Sequence, residues 1–405
     1  MLSETALFTA ALGLPKPWSV TGVVLDAEEG ELNITLDFAR GSRFACPECE
    51  QLSPVHDTKM RRWRHLNFFE HKAFLHAPLP RIKCAKCGVK VIDVPWAPFG
   101  GRFTLLFMAY VVVLSRDMPI AAVARLVKEH DTRIWRLLDQ VVEWGREDVD
   151  MSQVTRIGVD ETACKRGQHY VTVFADMDNK RVLHVAEGRS AETVTEFKND
   201  LTAHQGVPER IEHVSMDMSA AFQSGVKAAF PSAKIVFDRF HVTALVTDAL
   251  DQIRRGDVKE NEVLKKTRYI WLKNPESLTS KQAETLSMLS KMNIGTSLAY
   301  QMKLNLQELW RQPDRAAAEA HLNAWYTWVS QSNIGAAMKR AAKTIKGYAS
   351  GILSYYDTGL TNGLMEGINS LIQAAKSKAR GYRNVRYMKT IIYLIAGKLD
   401  FGLST

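Results

Sequence analysis

Three acidic side chains, Asp160, Asp217 and Glu366, stand far apart in the chain. The first two close segments that read as strands, and the third opens a segment that reads as a helix. Carboxylates are hard oxygen ligands, and several on one rigid edge suit Mg²⁺ or Mn²⁺, with positions left for water and phosphate. Two such ions about 3.5 to 4 Å apart activate an attacking hydroxyl and stabilise the leaving oxygen of an in-line displacement. Four cysteines carry a different chemistry. Cys46 and Cys49, then Cys84 and Cys87, form two CxxC knuckles, the tetrahedral thiolate set of one structural Zn²⁺. The 34 residues between the knuckles exceed the usual spacing of roughly 15 to 20, and the strand-like Phe68 to Pro80 fills the gap as part of a ribbon hairpin.

The elements that must position the acids begin at Arg156. Strands are expected over Arg156 to Glu161, His169 to Asp176, Arg181 to Glu187, Ile211 to Met216 and Lys234 to Phe237, and helices over Ala191 to Ala203 and Ala220 to Phe230. Three strands in succession, then helix, strand, helix, strand, is an α/β order whose first three strands can form a meander. It predicts an RNase H-like core, a mixed sheet flanked by helices, with Asp160 and Asp217 on neighbouring strands. A lone Asp after a strand is ordinarily a turn or cap residue; the paired positions and a third acid distinguish these two. The third acid is sought in Thr361 to Ile372, where Glu366 and Asn369 share one helical face and Leu364, Ile368, Leu371 and Ile372 form the buried side. Behind it Lys376, Lys378, Arg380, Arg383 and Arg386, interleaved with Tyr382 and Tyr387, suit a DNA backbone. Asp238 and His241 follow the fifth strand. They either orient a ligand or phosphate, or cap and pack. Glu161, Asp176 and Asp178 read as turn residues or electrostatic neighbours, and Cys164 as a buried thiol.

Upstream, Val20 to Asp26 and Glu31 to Phe38 alternate around Glu29-Gly30 as a hairpin. Between the knuckles, Lys59, Arg61, Arg62 and Arg64 surround Trp63. Such a cluster neutralises phosphates while its aromatic packs or stacks, or it is a solvated charged strand. Ile120 to Glu129 and Thr132 to Trp144 have helical spacing and a short break at His130-Asp131. They resemble a helix-turn-helix offering Arg133 and Arg136 to DNA, although the turn lacks the common glycine. The long interval between Asp217 and Glu366 holds Leu245 to Gln331, which reads as an all-α insertion whose Trp271, Trp310, Trp325 and Trp328 pack its own core. The expected division is 1–100 (hairpin and zinc module), 101–150 (helical DNA-binding segment), 151–243 (first part of the core), 244–345 (insertion) and 346–405 (core helices with Glu366).

The bulk composition agrees. With 405 residues, 46% of them hydrophobic, the chain can bury several cores. Lys and Arg number 53 against 44 Asp and Glu, a net charge of +9, which suits a polyanionic partner. The apolar run Phe103 to Leu114 is short of the roughly 20 residues that span a bilayer, so no membrane role is expected. Met1 to Glu4 lack the basic region that opens a secretory signal. A cytoplasmic, nucleoid-associated protein with reduced or metal-bound cysteines is therefore expected.

The blocks Gly158-Val159-Asp160-Glu161, Gly167-Gln168-His169-Tyr170-Val171-Thr172, Ser215-Met216-Asp217-Met218, Phe237-Asp238-Arg239-Phe240-His241-Val242 and Asn362-Gly363-Leu364-Met365-Glu366-Gly367-Ile368-Asn369 resemble the core of the ISL-three family of insertion-sequence transposases. The cysteine pairs and the helices after them resemble that family's N-terminal part, so the likeness covers nearly the whole chain. It implies that Asp160, Asp217 and Glu366 are an acidic catalytic triad acting on the element's terminal inverted repeats and on target DNA, with a homo-oligomer assembled on the DNA. Two other readings remain: an RNase H-like nuclease or resolvase, and a DNA-binding regulator with an inactive core.

Overall fold

Alternating apolar residues pair as the expected first hairpin. In the computed structural model, which describes residues 3–165, 169–292 and 294–403, helix α1 (Glu4–Ala11) precedes β1 (Trp18–Asp26), which is antiparallel to β2 (Glu31–Phe38). Leu32, Ile34 and Leu36 face inward from β2 while their neighbours face out, the two-residue period of a half-buried strand. The chain divides into two units, Met1–Asp148 with Ala374–Thr405, and Val149–Gln373. Gly167 and Gln168, part of one of the blocks that carry the resemblance, lie outside the described residues.

In the first unit, β3 (Arg43–Ala45), β4 (Leu52–Arg64), β5 (Lys72–Cys84) and β6 (Gly88–Val91) complete a six-stranded sheet of order β1-β2-β5-β4-β3, with β6 on β5. The long β4–β5 hairpin spans the interval between the knuckles, which is why that interval is wide. Trp63 is 2% exposed and meets Trp96 edge-on at 5.6 Å; it packs and does not stack on bases. Arg64 is also buried. It donates to Glu129 (3.1 Å) and to the carbonyls of Ala73 (3.2 Å) and Val127 (2.9 Å). The expectation that Arg64 contacts DNA is therefore corrected: it ties the sheet to the helices. Those helices are α2 (Leu105–Asp117), α3 (Ile120–Leu126) and α4 (Asp131–Glu147). In the turn between α3 and α4, Lys128 takes the left-handed conformation (φ 56°) that a glycine more often supplies. The C-terminal helix Val385–Ala396 closes this core. Tyr387 stacks on Trp135 at 4.0 Å, and Thr390 donates to Asp139 at 2.5 Å.

The second unit is built on β7 (Arg156–Lys165), β8 (His169–Asp176), β9 (Arg181–Glu187), β10 (His213–Met216) and β11 (Lys234–Phe237), in the order β11-β10-β7-β8-β9. The first three are antiparallel neighbours, whereas β10 lies parallel to both β7 and β11. Helices α5 (Ala191–Ala203) and α6 (Ala220–Ala229) are the connections the parallel strands require. After β11, α7 (Arg239–Asp257), α8 (Arg268–Leu272), α9 (Ser280–Leu289), α10 (Gly295–Gln307), α11 (Arg315–Gln331), α12 (Ala336–Gly347) and α13 (Ala349–Thr358) lead to α14 (Gly363–Lys378) and α15, the C-terminal helix already described. Trp271 and Trp325 are buried, and Trp310 and Trp328 are half-buried against the same cluster, which runs without a break into the core under the sheet.

Candidate active site and zinc centre

Asp160 does not end its strand as the sequence suggested. It lies mid-way along β7, beside Val173 of β8. Its parallel neighbour, however, stops first: β10 ends at Met216 and the next residue is Asp217. The two acids thus lie where one parallel strand continues and the other has finished. Each Asp is held by a nearby backbone group, Asp160 accepting from the Glu161 N–H (2.8 Å) within its strand and Asp217 from the Ser219 N–H (2.9 Å) in the turn after β10.

Helix α14 is keyed onto β7 in register. Met365 packs against Gly158, Asn369 donates to Asp160 Oδ2 at 2.7 Å, and Gln373 donates to Thr162 at 2.6 Å. Four helical residues rise about 6 Å and two strand residues about 6.6 Å. Positions 365, 369 and 373 can therefore match 158, 160 and 162 along one seam. Gly158 allows this close approach, since a Cβ would sit 2.6 Å from Met177 Sδ and 2.8 Å from Met365 Sδ and force those side chains to shift. The buried face of α14 is Met365, Ile368 and Ile372, while Leu371 is 52% exposed, which corrects the expected inward face by a rotation. Glu366 follows Met365 and turns off the seam into a cavity that Arg239 and Phe240 also line.

Asp238 and His241 join this edge. Asp238 is 4% exposed and caps α7, accepting from the Phe240 N–H (3.0 Å), while its other oxygen takes Asn362 Nδ2 (3.3 Å) and faces His241 at 3.8 Å. Asn362 in turn accepts from Ser215 of β10 (3.1 Å). Sequence reasoning missed Asn362, Ser215 and Gln373; their polarity at positions facing a strand was the available signal. Burial pushes Asp160 up to about 6; Asp217 and Asp238 add to this, and the Glu161 N–H and His241 oppose it. A half-buried acid among like charges is an environment that a cation relieves. Beside it Asn369 Oδ1 is buried without a hydrogen-bond partner. The donor set therefore fits a hydrated divalent ion.

The cysteine site is closed in a different way. All four thiol groups lie within 4.8 Å of one another, with Cys49 and Cys84 sulfurs 3.5 Å apart. Four sulfurs about 2.3 Å from a tetrahedral zinc would be spaced by roughly 3.8 Å, so the set fits a structural zinc. Among the described residues it is the one group of three or more candidate ligands drawn to such spacing; Asp160, Asp217 and Glu366 are not drawn to it. The N–H groups of Cys87 and Lys86 hold Cys84 down to about 6, whereas Cys87 is pushed up, first by Cys49 and then by burial.

A family model described as a transposase matches residues 157–392. A helix-turn-helix model of transposase family ISL3 matches 92–142, and a model described as the zinc-finger of transposase IS204/IS1001/IS1096/IS1165 matches 42–87. Over 353 residues the chain is 32% identical to the transposase for insertion sequence element IS1001 of Bordetella parapertussis, covering 84% of this chain and 86% of the relative. It is 28% identical over 422 residues to the transposase for insertion sequence element IS1557 of Mycobacterium tuberculosis, in two strains, covering 95% and 93%. This chain belongs to the ISL-three (ISL3) family of transposases. The transposase thus carries its DNA-binding helices on α2 to α4 and a structural zinc ribbon in the same unit. Of the cations expected to touch DNA, Arg136, Arg380 and Arg383 are exposed and Lys376 is half-buried. Arg62 is bound to Glu31 (2.5 Å), Arg133 pairs with Glu129 and lies over Phe103 (4.8 Å), and Arg61 lies 6.0 Å from Trp63. Cys164 is a buried thiol, Asp176 caps the β8–β9 turn, Asp178 pairs with Arg156, and Glu161 meets Arg189 at 3.4 Å. Among the described residues no helix is long and apolar enough to cross a membrane.

Proposed function

We propose that this transposase binds the terminal inverted repeats of its element and cuts and joins DNA at Asp160, Asp217 and Glu366, on a core of the RNase H-like class. The sheet order and the α14 seam support that fold, and the seam is the observation that carries the site, since Glu366 follows the seam residue Met365 on a helix locked to the strand of Asp160. The three carboxylates would hold two Mg²⁺ or Mn²⁺ ions, which supply activation of the attacking hydroxyl and charge relief at the leaving oxygen. Asn369 orients Asp160 through a charge-assisted hydrogen bond. Asp238, with both oxygens occupied, positions the start of α7 and is not a third ligand. His241 offsets the negative charge around Asp160. Arg61, Arg62, Arg133, Arg136, Lys376, Arg380 and Arg383 contact phosphates of end and target DNA. Chains pair as a homo-oligomer on the DNA, in the cytoplasm at the nucleoid. The proposed functional segments follow the sequence boundaries: 1–100, 101–150, 151–243, 244–345 and 346–405.

The test is cleavage and joining of end-containing DNA with Mg²⁺ or Mn²⁺. Asp160→Asn and Glu366→Gln should each lose about a thousandfold or more in rate while still shifting the DNA in a gel. Asp160→Asn should melt no lower than the parent, because it removes a carboxylate that burial disfavours. Asp238→Asn should lower cleavage less. Full cleavage by Glu366→Gln with none by Asp238→Asn would transfer the third ligand to Asp238.

A further inference from the structure

A cavity of about 780 Å³ opens between the first turns of α7, the segment after α8, α10 and the residue Glu366. That is within the ~300 to 1,000 Å³ of small-ligand sites. Its contents are unusual for a structural void. Phe240 is 63% exposed, and its position is fixed, since its N–H is held by Asp238 and its ring meets His241 edge-on at 5.5 Å. The tryptophans of the helical region are buried or half-buried, so Phe240 is the exposed aromatic face on this wall.

Lys303, also on the wall, is 1% exposed, and its ammonium donates to the carbonyls of Leu272 (2.9 Å) and Lys273 (3.0 Å). Its ammonium also lies 5.4 Å from the centre of the Tyr300 ring, and the Glu276 charge on the same wall favours its protonated form, so this buried lysine is satisfied within the protein. Arg239 at the mouth has no carboxylate partner among the described residues, although Asp248, Glu276, Glu308 and Glu366 also line the wall; Arg311 is taken by Glu308 at 2.8 Å. Trp310, a third wall residue, has a buried indole N–H with no acceptor. An exposed aromatic face and an arginine without a carboxylate partner, adjoining an acid of the proposed cutting site, match two parts of one nucleotide: a flat base and a phosphate.

We propose that this cavity takes one nucleotide drawn out of the duplex beside the cut, its base stacked on Phe240 and its phosphate held by Arg239 at the mouth. The inference rests on Asp160, Asp217 and Glu366 being the cutting residues. A nucleotide swung out of the stack leaves the neighbouring phosphate unobstructed, and stacking on a π-face holds any of the four bases.

The experiment uses the full-length Asp160→Asn protein and duplex DNA carrying the element end, with 2-aminopurine placed at successive positions around the cut. At one position the fluorescence should rise several-fold on binding, and Phe240→Ala in the same background should remove most of the rise. Tyr269→Ala, which removes an exposed aromatic that does not line the cavity, should leave it unchanged. In the active protein, Phe240→Ala should slow cleavage about tenfold, the order of one lost base–aromatic stack. An abasic nucleotide at the responding position should bring the two proteins to similar rates. Should Phe240→Ala be poorly folded, Thr243→Trp fills the cavity from the middle of the same helical face and should abolish the rise. No rise at any position, or an equal rise with Phe240→Ala and Thr243→Trp, would overturn the proposal. Cleavage by Asp160→Asn would instead overturn the reading of the cutting site.

Discussion

In the N-terminal unit two short knuckles bring four thiol groups within 4.8 Å, before any substrate is involved. In the second unit the acids come from β7, from the end of β10 and from α14, and hydrogen bonds hold Asp160 and Asp217 without drawing the three into a closed set. The difference follows from what each ligand must do. A structural zinc is wrapped completely, and its binding energy becomes folding energy. On the proposed reading the acids serve phosphate chemistry, which must keep positions open for substrate. Removing a ligand from the first should therefore be felt in folding, and removing one from the second should be felt in rate.

The sharpest break of that contrast is zinc removal. Structural zinc sites carry apparent free energies of roughly 10 to 16 kcal/mol near neutral pH. Chelation, or Cys84→Ser, should unfold the six-stranded sheet and abolish DNA-end binding. Metal analysis should fall from one zinc per chain towards none, and circular dichroism should lose the contribution of these strands. A zinc-free protein with an intact N-terminal unit would show that Trp18, Trp63 and Trp96 suffice without the metal.

Next comes Arg64. Replacing it with methionine leaves Glu129 buried with Arg133 as its remaining partner, and breaking a buried pair from one side costs about 3 to 5 kcal/mol. Thermal unfolding of Arg64→Met should show a loss of that order, while the surviving folded protein binds DNA with a near-normal salt dependence. Arg136→Ala should do the reverse, weakening DNA binding and flattening its salt slope at little cost in stability. If Arg64→Met binds DNA poorly while melting like the parent, the buried arginine is a DNA contact after all.

These residues also show how far the sequence reaches. The knuckles were legible because a CxxC spacing is local, and one knuckle dictates most of its own geometry. The adjacency of the strands that carry Asp160 and precede Asp217 was legible because parallel strands announce themselves by their helical crossovers. Arg64 was not, because alternation along β4 breaks at its end, where Trp63 and Arg64 are both buried as the strand leaves the sheet for the helices. A run of cations carries no mark of which one turns inward. The Lys128 turn was hidden because a left-handed lysine leaves no glycine to read. The inward face of α14 was misjudged by a rotation, since apolar residues at 364, 365, 368, 371 and 372 satisfy more than one helical phase. Only Gly158, which admits Met365 closely, selects the phase observed.

Gly158 therefore tests the open site without touching a ligand. An added methyl group at Gly158 meets two sulfurs at under 3 Å, and overpacking of this kind costs about 1 to 3 kcal/mol. Methionine side chains are flexible, so the fold should survive with the seam displaced. Gly158→Ala should cut the cleavage rate by about tenfold or more, since small misplacements of catalytic groups are costly, with DNA binding unchanged. Unaltered cleavage would mean that the register of α14 on β7 does not set the position of Glu366.

The smallest effect separates the zinc unit's packing from its metal. His65 follows Arg64 at the end of β4, and burial, with the Arg64 charge adding, pushes its pKa down to about 4 from 6.5. Its Nδ1 lies 2.9 Å from Thr104 Oγ1, which itself accepts the Phe107 N–H as the cap of α2. The hydroxyl proton is then best spent on a neutral imidazole. Because the folded pKa lies below the unfolded one, the unfolded chain binds more protons between about pH 4 and 6.5, and stability rises with pH across that window. The contribution is fully present above pH 6.5 and lost as the pH falls towards 4. Allowing for partial exposure, it amounts to roughly 2 kcal/mol. Thiolate protonation also weakens the unit in acid, so the comparison must be made with zinc saturating and against His65→Asn, whose carbonyl can accept from Thr104 at any pH. The stability gap between the two proteins should close by roughly 2 kcal/mol between pH 7.5 and pH 4.5, through loss in the parent alone. A gap that stays constant over that range would assign all of the acid sensitivity to the four thiolates.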